Sequence, residues 1–323
     1  PAIVNDFKKS EKAALESNTS RVGNMRSAFI QEDDWDHYVA EIDRLENVSK
    51  QDILRVANQY FGNNYVAVQR IDEQQEIPHV EKPQIDPVVI DPTRQSQFAA
   101  SILAMPYEEI EPTYVQPGQD YQVVEYAPGV PLHYAPNPLN DLFSFSISVE
   151  AGTEENDALS LATALLQKSG TGDMSAEELQ KEWYRLGSEF GVGAGANEST
   201  LGISGLDEQF DASLKLMLSV VRNPSVDEAT LEELKSIILK SREDQKQDPR
   251  AISQALYLYN RYGDDSPMLT SLTSEQIKAA SVAELEELVG DLLKYKHTLS
   301  YTGSMPLEEL LTRLHALYEV PEQ

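Results

Sequence analysis

Phe143-Ser144-Phe145-Ser146-Ile147-Ser148-Val149-Glu150-Ala151 alternates large apolar side chains with small polar ones. Successive side chains of a strand point to opposite faces, so this stretch predicts a strand with one greasy and one wet face, as on a half-buried antiparallel sheet. From near Asp157 the period changes: Leu161, Ala162, Leu165 and Leu166 recur at helical spacing until Gly170-Thr171-Gly172 stops the run. A strand period giving way to a helix period within one short segment predicts a helix laid on a sheet.

Working outward, Tyr121–Tyr126 and Val130–Tyr134 flank Pro128-Gly129 and read as a hairpin. Downstream, Ser175 and Glu178 have capping-box spacing ahead of Leu179, Trp183 and Leu186. A glycine-rich strand pair follows between Gly191 and Leu206. Phe210, Leu214, Met217, Leu218 and Val221 mark an amphipathic helix ended by Pro224, and Leu231, Leu234 and Ile238 begin a long one. Helices near Ala251–Tyr259 and Ser281–Leu293, a strand over Thr298–Thr302 and a helix over Pro306–Leu317 complete the series. The order predicts an α+β module, an antiparallel or mixed sheet flanked by helices, over 119–323.

Ahead of it lie two different regions. Residues 1–75 read as helical: Trp35, Tyr38, Val39, Ile42 and Leu45 share one helix face. Ser49 and Asp52 cap a second helix carrying Ile53, Leu54, Val56, Tyr60 and Phe61, with a short strand at Tyr65-Val66-Ala67-Val68. Residues 76–118 hold Pro78, Pro83, Pro87, Pro92, Pro106, Pro112 and Pro117, which predicts a non-helical, extended linker laid over a surface by Val89, Ile90, Phe98 and Ile102.

The 323 residues include 26 Lys+Arg against 54 Asp+Glu, a formal net charge of −28. Such a surface repels polyanions, which disfavours nucleic acid and anionic membranes as partners. With no cysteine, disulfides, thiolate metal sites and thiol nucleophiles are excluded, while 41% hydrophobic residues suffice for a core. No apolar run is long enough to span a bilayer, and the first residues show no signal-peptide pattern.

Residue chemistry yields no catalytic constellation. His37 and Glu41, four apart on the expected helix, could face one metal but lack a third ligand, and a solvated helix face is the better reading. His79, His133, His297 and His315 stand alone. Gly191-Val192-Gly193-Ala194-Gly195 lacks the spacing of a phosphate loop; it reads instead as a strand with a bulge or a close backbone approach, whose peptides could pair with an extended ligand. Glu154/Glu155, Glu177/Glu178 and Glu286/Glu287 read as exposed charge. Trp183, and Tyr259 with Tyr262, read as core aromatics. No serine stands in G-x-S-x-G, with no His/Asp partner for Ser144, Ser146 or Ser148.

Taken together, Val149-Glu150-Ala151-Gly152-Thr153, the helix ending in Gly170-Thr171, Ser175-Ala176-Glu177-Glu178-Leu179, Leu186-Gly187, Val221-Arg222-Asn223-Pro224, Tyr262-Gly263 to Leu272-Thr273 and Leu299-Ser300-Tyr301-Thr302-Gly303 resemble the third domain of the pitrilysin/insulinase superfamily of zinc metallopeptidases. Leu45-Glu46-Asn47-Val48-Ser49-Lys50-Gln51-Asp52 and Ala57-Asn58-Gln59-Tyr60-Phe61 resemble the end of the domain before it, and the proline-rich stretch resembles the hinge between the two clam-shell halves.

Catalytic members carry His-x-x-Glu-His on the helix before the Gly-Thr turn. In the family register those positions fall on Leu161, Ala164 and Leu165, none of which can bind a metal. The resemblance therefore implies a non-catalytic half, with no catalytic residue, metal site or cofactor of its own, and with zinc in the catalytic half of the parent. The implied partners are that half, in the same polypeptide or as a separate subunit, and peptide substrate. The alternative is a stand-alone non-enzymatic subunit. Bacterial periplasm or cell envelope is the compartment the resemblance suggests, with cytoplasm left open.

Overall fold

The computed structural model describes residues 2–71, 81–85, 91 and 93–321. The chain forms two compact units, one of Pro1–Asn47 with Val115–Gln323 and the other of Val48–Tyr114.

The larger unit opens with α1 (Ala2–Leu15), α2 (Asn18–Ile30), α3 (Trp35–Val39) and α4 (Glu41–Glu46). The single helix expected across Trp35–Leu45 is broken at Ala40, whose φ of −87° and ψ of 14° leave the α region. The Arg44 guanidinium donates to the His37 carbonyl, which in a continuous helix would accept from the Glu41 amide.

The smaller unit carries α5 (Lys50–Tyr60), opened by the expected Ser49/Asp52 capping box, and α6 (Gln97–Leu103), capped by Ser96. Helix α6 corrects the reading of a helix-free linker, because the segment between Pro92 and Pro106 contains no proline to interrupt it. Phe98 and Ile102 are 74% and 50% exposed rather than laid on a surface, and Val89 and Ile90 lie outside the described residues. Tyr65-Val66-Ala67-Val68 is no strand: among the described residues it has no neighbouring strand to pair with, and a lone extended segment is unsupported.

The α+β part of the larger unit runs β1 (Gln122–Ala127), β2 (Val130–Pro136), β3 (Leu142–Val149), α7 (Leu159–Leu166), β4 (Gly170–Thr171), α8 (Ala176–Leu186), β5 (Glu189–Ala194) and β6 (Ser199–Leu206). It continues with α9 (Phe210–Arg222), β7 (Pro224–Ser225), α10 (Glu228–Gln245), α11 (Pro249–Tyr262), α12 (Pro267–Thr270), α13 (Ser274–Ala279), α14 (Val282–Asp291), β8 (His297–Gly303) and α15 (Leu307–Leu317). Six strands form a mixed sheet in the order β1-β2-β8-β3-β6-β5, antiparallel except where β2 and β8 run parallel. β4 and β7 pair separately, tying the turn after α7 to the end of α9.

The alternation in β3 acts as expected. Phe143, Phe145, Ile147 and Val149 are buried under the helices with Leu201, Ile203, Leu299 and Tyr301 of the flanking strands. Phe210, at the start of α9, meets Phe143, Phe145 and Tyr301 edge to face at centroid distances of 5.2, 5.9 and 5.7 Å, an arrangement that adds roughly 0.5–1.5 kcal/mol per pair beyond burial. Helix α8 has the expected Ser175/Glu178 capping box and stops at Gly187, whose φ of 64° suits glycine.

Helix α11 departs from expectation. Tyr259 and Tyr262 are 52% and 45% exposed, not core. Helical spacing reports that one face is apolar but not whether anything covers it.

Candidate functional site

Helix α7 lies against β5, the edge strand of the sheet, and the two elements organise the candidate site. Every apolar residue that sequence periodicity turned inward on α7 is buried: Leu161, Leu165 and Leu166 at 2–3% exposure, with Leu159 and Ala162 beside them. Ala164 is half-buried against the same core. Thr163, the helix's buried polar side chain, donates back to the Leu159 carbonyl at 2.8 Å and is satisfied. The side chains of Leu161, Ala164 and Leu165 offer no lone pair to a cation, so zinc does not fit this helix. Among the described residues no group of three or more His, Asp or Glu could hold a metal.

The other candidates are scattered. His37 pairs with Asp33 at 2.8 Å on α3, while Glu41 begins α4, so the two do not share a helix face. His133 is exposed on β2. His315 stacks on Tyr126 at 4.6 Å. His79 lies outside the described residues. His297 is fully buried, its Nδ1 2.8 Å from the Tyr295 carbonyl and its Nε2 2.8 Å from the Tyr318 hydroxyl. The first contact requires a proton on Nδ1, leaving Nε2 to accept from Tyr318. Burial lowers the His297 pKa and raises that of Tyr318, while Tyr126 is pushed up to about 12. This buried cluster fastens the last helix to the sheet. No sequence pattern announces it, since its members are far apart in the chain.

The paired glutamates have structural tasks. Glu154 accepts from Asn197, Glu155 from the Gly152 amide, Glu177 from Lys181 and Glu286 from the Val226 amide. Glu178 caps α8, and its bonds from Ser175 hold its pKa down.

What the fold does assemble is a sheet edge. β5 pairs with β6 in unbroken register, so the expected bulge is absent, and a Cβ placed at Gly191 or Gly193 would meet open space rather than a neighbouring backbone. In an antiparallel ladder alternate residues bond to the neighbour. The Gly195 amide donates to Glu198, which places Gly191 and Gly193 in bonds to β6 and turns the peptide groups of Phe190, Val192 and Ala194 outward. The carbonyl of Val192 accepts from the Gln167 side chain, which occupies the place an added strand would take.

The sheet face opposite the helices is unusual for so acidic a chain. Ser144, Ser146 and Ser148 on β3 stand in register with Ser204, Gly202 and Thr200 on β6 and with Thr302, Ser300 and Thr298 on β8. Gly191, Gly193 and Glu189 continue these rows onto β5, where Lys9 of α1 bonds Glu189 at 2.6 Å, and the exposed His133 and Glu125 lie on the same face of β2 and β1. Hydroxyls line the centre of this face, between Glu125 and His133 at one margin and Lys9 of α1 at the other.

Beside the β5 edge lies a cavity of about 500 Å³ whose lining combines Trp183 and Phe190 with the polar and charged side chains of Gln167, Lys168, Glu177 and Glu233. Trp183 and Phe190 stack at a centroid distance of 5.7 Å with their planes 9° apart.

No protein-family model and no curated protein sequence matches the chain. Solved structures do. The crystal structure of a peptidase M16 inactive domain from Pseudomonas fluorescens superposes with a TM-score of 0.53 at 19% identity, covering 62% of this chain and 52% of that one. This chain has the fold of an M16 inactive domain. The periplasmic protease PqqL from Escherichia coli gives 0.54 at 14% identity over 86% of this chain and 29% of its own. The ferredoxin protease FusC, a point mutant in complex with Arabidopsis ferredoxin, gives 0.53 at 13% identity over 95% of this chain and 36% of its own. The chain thus spans about half or less of the length of these structures. No helix among the described residues is long and apolar enough to cross a membrane.

Proposed function

We propose that this chain is the non-catalytic half of an M16-type zinc peptidase, forming part of the wall of a peptide-degrading chamber and holding extended peptide along β5. Residues 1–75 belong on this reading to the end of the preceding domain, 76–118 to the link between halves and 119–323 to the inactive domain. Leu161, Ala164 and Leu165 stand where a catalytic relative would carry its ligands, and zinc belongs to the catalytic half, in the same polypeptide or in a partner subunit. A periplasmic setting follows the neighbour PqqL.

The observation that carries the reading is the pairing of a ligand-free, fully packed α7 with an adjoining edge strand whose outward peptides lack a strand partner among the described residues. Such an edge can add an extended peptide through main-chain bonds, largely independent of sequence. Enclosure contributes to catalysis elsewhere by excluding water and confining substrate.

Hydrogen exchange of the full chain tests this. Addition of a saturating extended peptide slows exchange at the Phe190, Val192 and Ala194 amides while leaving Gly191 and Gly193, already bonded to β6, unchanged. Unaltered exchange along β5 rejects the reading.

A further inference from the structure

We infer that α1 is an ionic lid over a polar cavity on the open face of the sheet, held shut by charge rather than by apolar packing and released as ionic strength rises. The device lies within the larger unit and does not depend on peptide pairing at β5.

Helix α1 buries no residue, and its Ile3, Phe7 and Leu15 are exposed. What fixes it to the sheet is polar. Lys9 donates to Glu189 of β5 at 2.6 Å, and Lys12 pairs with Asp141, just ahead of β3, whose carboxyl it holds below the usual range. Asn140 donates to the Glu16 carboxylate at 2.9 Å and to the Lys12 carbonyl at 3.3 Å. Where α1 meets α8, the polar Asn5 lies against Gly187. The side chains of Glu189 and Asp141 are 72% and 53% exposed, so dissolved salt reaches both ion pairs. An exposed pair of this kind changes an equilibrium by at most about fivefold.

Beneath the helix the fit is incomplete. A cavity of about 320 Å³ is roofed by Lys9, Ala13 and Glu16 and floored by Ser144, Ser204 and Thr302. These hydroxyls form one cross-strand row, Thr302–Ser144–Ser204, that ends on Glu189. Polar side chains thus stand about 4.8 Å apart along the floor, and lifting α1 wets groups suited to water instead of uncovering a core. The cost of opening is then set by the two ion pairs and the Asn140 bonds. Once lifted, α1 has 14 residues, a length at which a helix without packing is marginal in water, so it frays as it leaves the sheet. Lys8, paired with Glu46, keeps it tied to α4.

The chain has no cysteine, so a single introduced thiol reports its own position. Ser204→Cys puts the thiol on the cavity floor, and Ser148→Cys puts it on the same sheet face outside the cavity. Each full-length variant is treated with a bulky fluorescent maleimide at low and high salt. The labelling rate of Ser204→Cys relative to Ser148→Cys is expected to rise about tenfold between about 0.05 M and about 1 M NaCl, where the Debye length falls to about 3 Å. Ser144→Cys, on the same floor, gives the comparison from a neighbouring strand. Glu189→Lys is expected to raise the low-salt ratio by a similar factor, and the added Lys9→Glu to restore it, which separates a charge lock from general loosening. A ratio that does not change with salt overturns the lid. So does a Glu189→Lys chain whose ratio at low salt matches that of the parent, or a double variant that stays as open as Glu189→Lys alone.

Discussion

Replacing Leu165 by His places on α7 one of the metal-binding side chains that the proposed register assigns to a catalytic half. Leu165 is 2% exposed and belongs to the main core. Removing its buried side chain forfeits about 2–3 kcal/mol of apolar burial. An imidazole left there without a hydrogen-bond partner adds about 1–3 kcal/mol of desolvation. The sum, roughly 3–6 kcal/mol, corresponds to a fall of roughly 6–24 °C in Tm for a domain of this size. Ala164→Glu is expected to cost less, about 1–2 kcal/mol, because Ala164 is half-buried and a carboxylate there can reach water. Urea unfolding by circular dichroism, with Leu165→Ala as a control for the cavity term, separates packing loss from imidazole desolvation. A Leu165→His chain within ~0.5 kcal/mol of the parent, the range of ordinary surface changes, would refute the argument that α7 serves as packing material.

Gln167→Ala frees the Val192 carbonyl and is expected to tighten binding of an extended peptide several-fold, the net value of a hydrogen bond being about 1 kcal/mol; titration calorimetry reads this. His297 is held below its ordinary 6.5 by burial, so the unfolded chain takes up protons first as pH falls. Stability should be full above about 6.5 and decline as pH drops toward the lower folded value, and a His297→Gln chain should show a flatter dependence of Tm between about pH 7.5 and 5. A methyl group at Gly152 would sit 2.2 Å from the Ala196 carbonyl oxygen, so Gly152→Ala should destabilise by about 1–3 kcal/mol in the same urea assay.

The elements written in local pattern were legible. The alternation of Phe143–Val149, the α7 face, the hairpin at Pro128-Gly129 and the capping boxes at Ser49 and Ser175 correspond to observed elements because each is decided by near neighbours. What required the third dimension was not. The insertion of β8 between β2 and β3 joins segments far apart in sequence, and so does the bond between His297 and Tyr318. Tyr65–Val68 has strand-like side chains without a described neighbour, and Tyr259 has a core-like spacing without a cover. For the site, periodicity located the apolar α7 positions and composition the glycine run. The Trp183–Phe190 cavity and the Gln167 contact emerged only once α7, α8 and β5 were packed together.

On the proposed reading this chain holds peptide without chemistry of its own. Its most direct test is to incubate the purified chain with excess zinc, dialyse it, and measure bound metal and cleavage of a fluorogenic peptide library on the same sample. Neither stoichiometric zinc nor turnover is expected. Zinc retained one-to-one together with cleavage, both abolished by a substitution within α7 that leaves the fold intact, would contradict it.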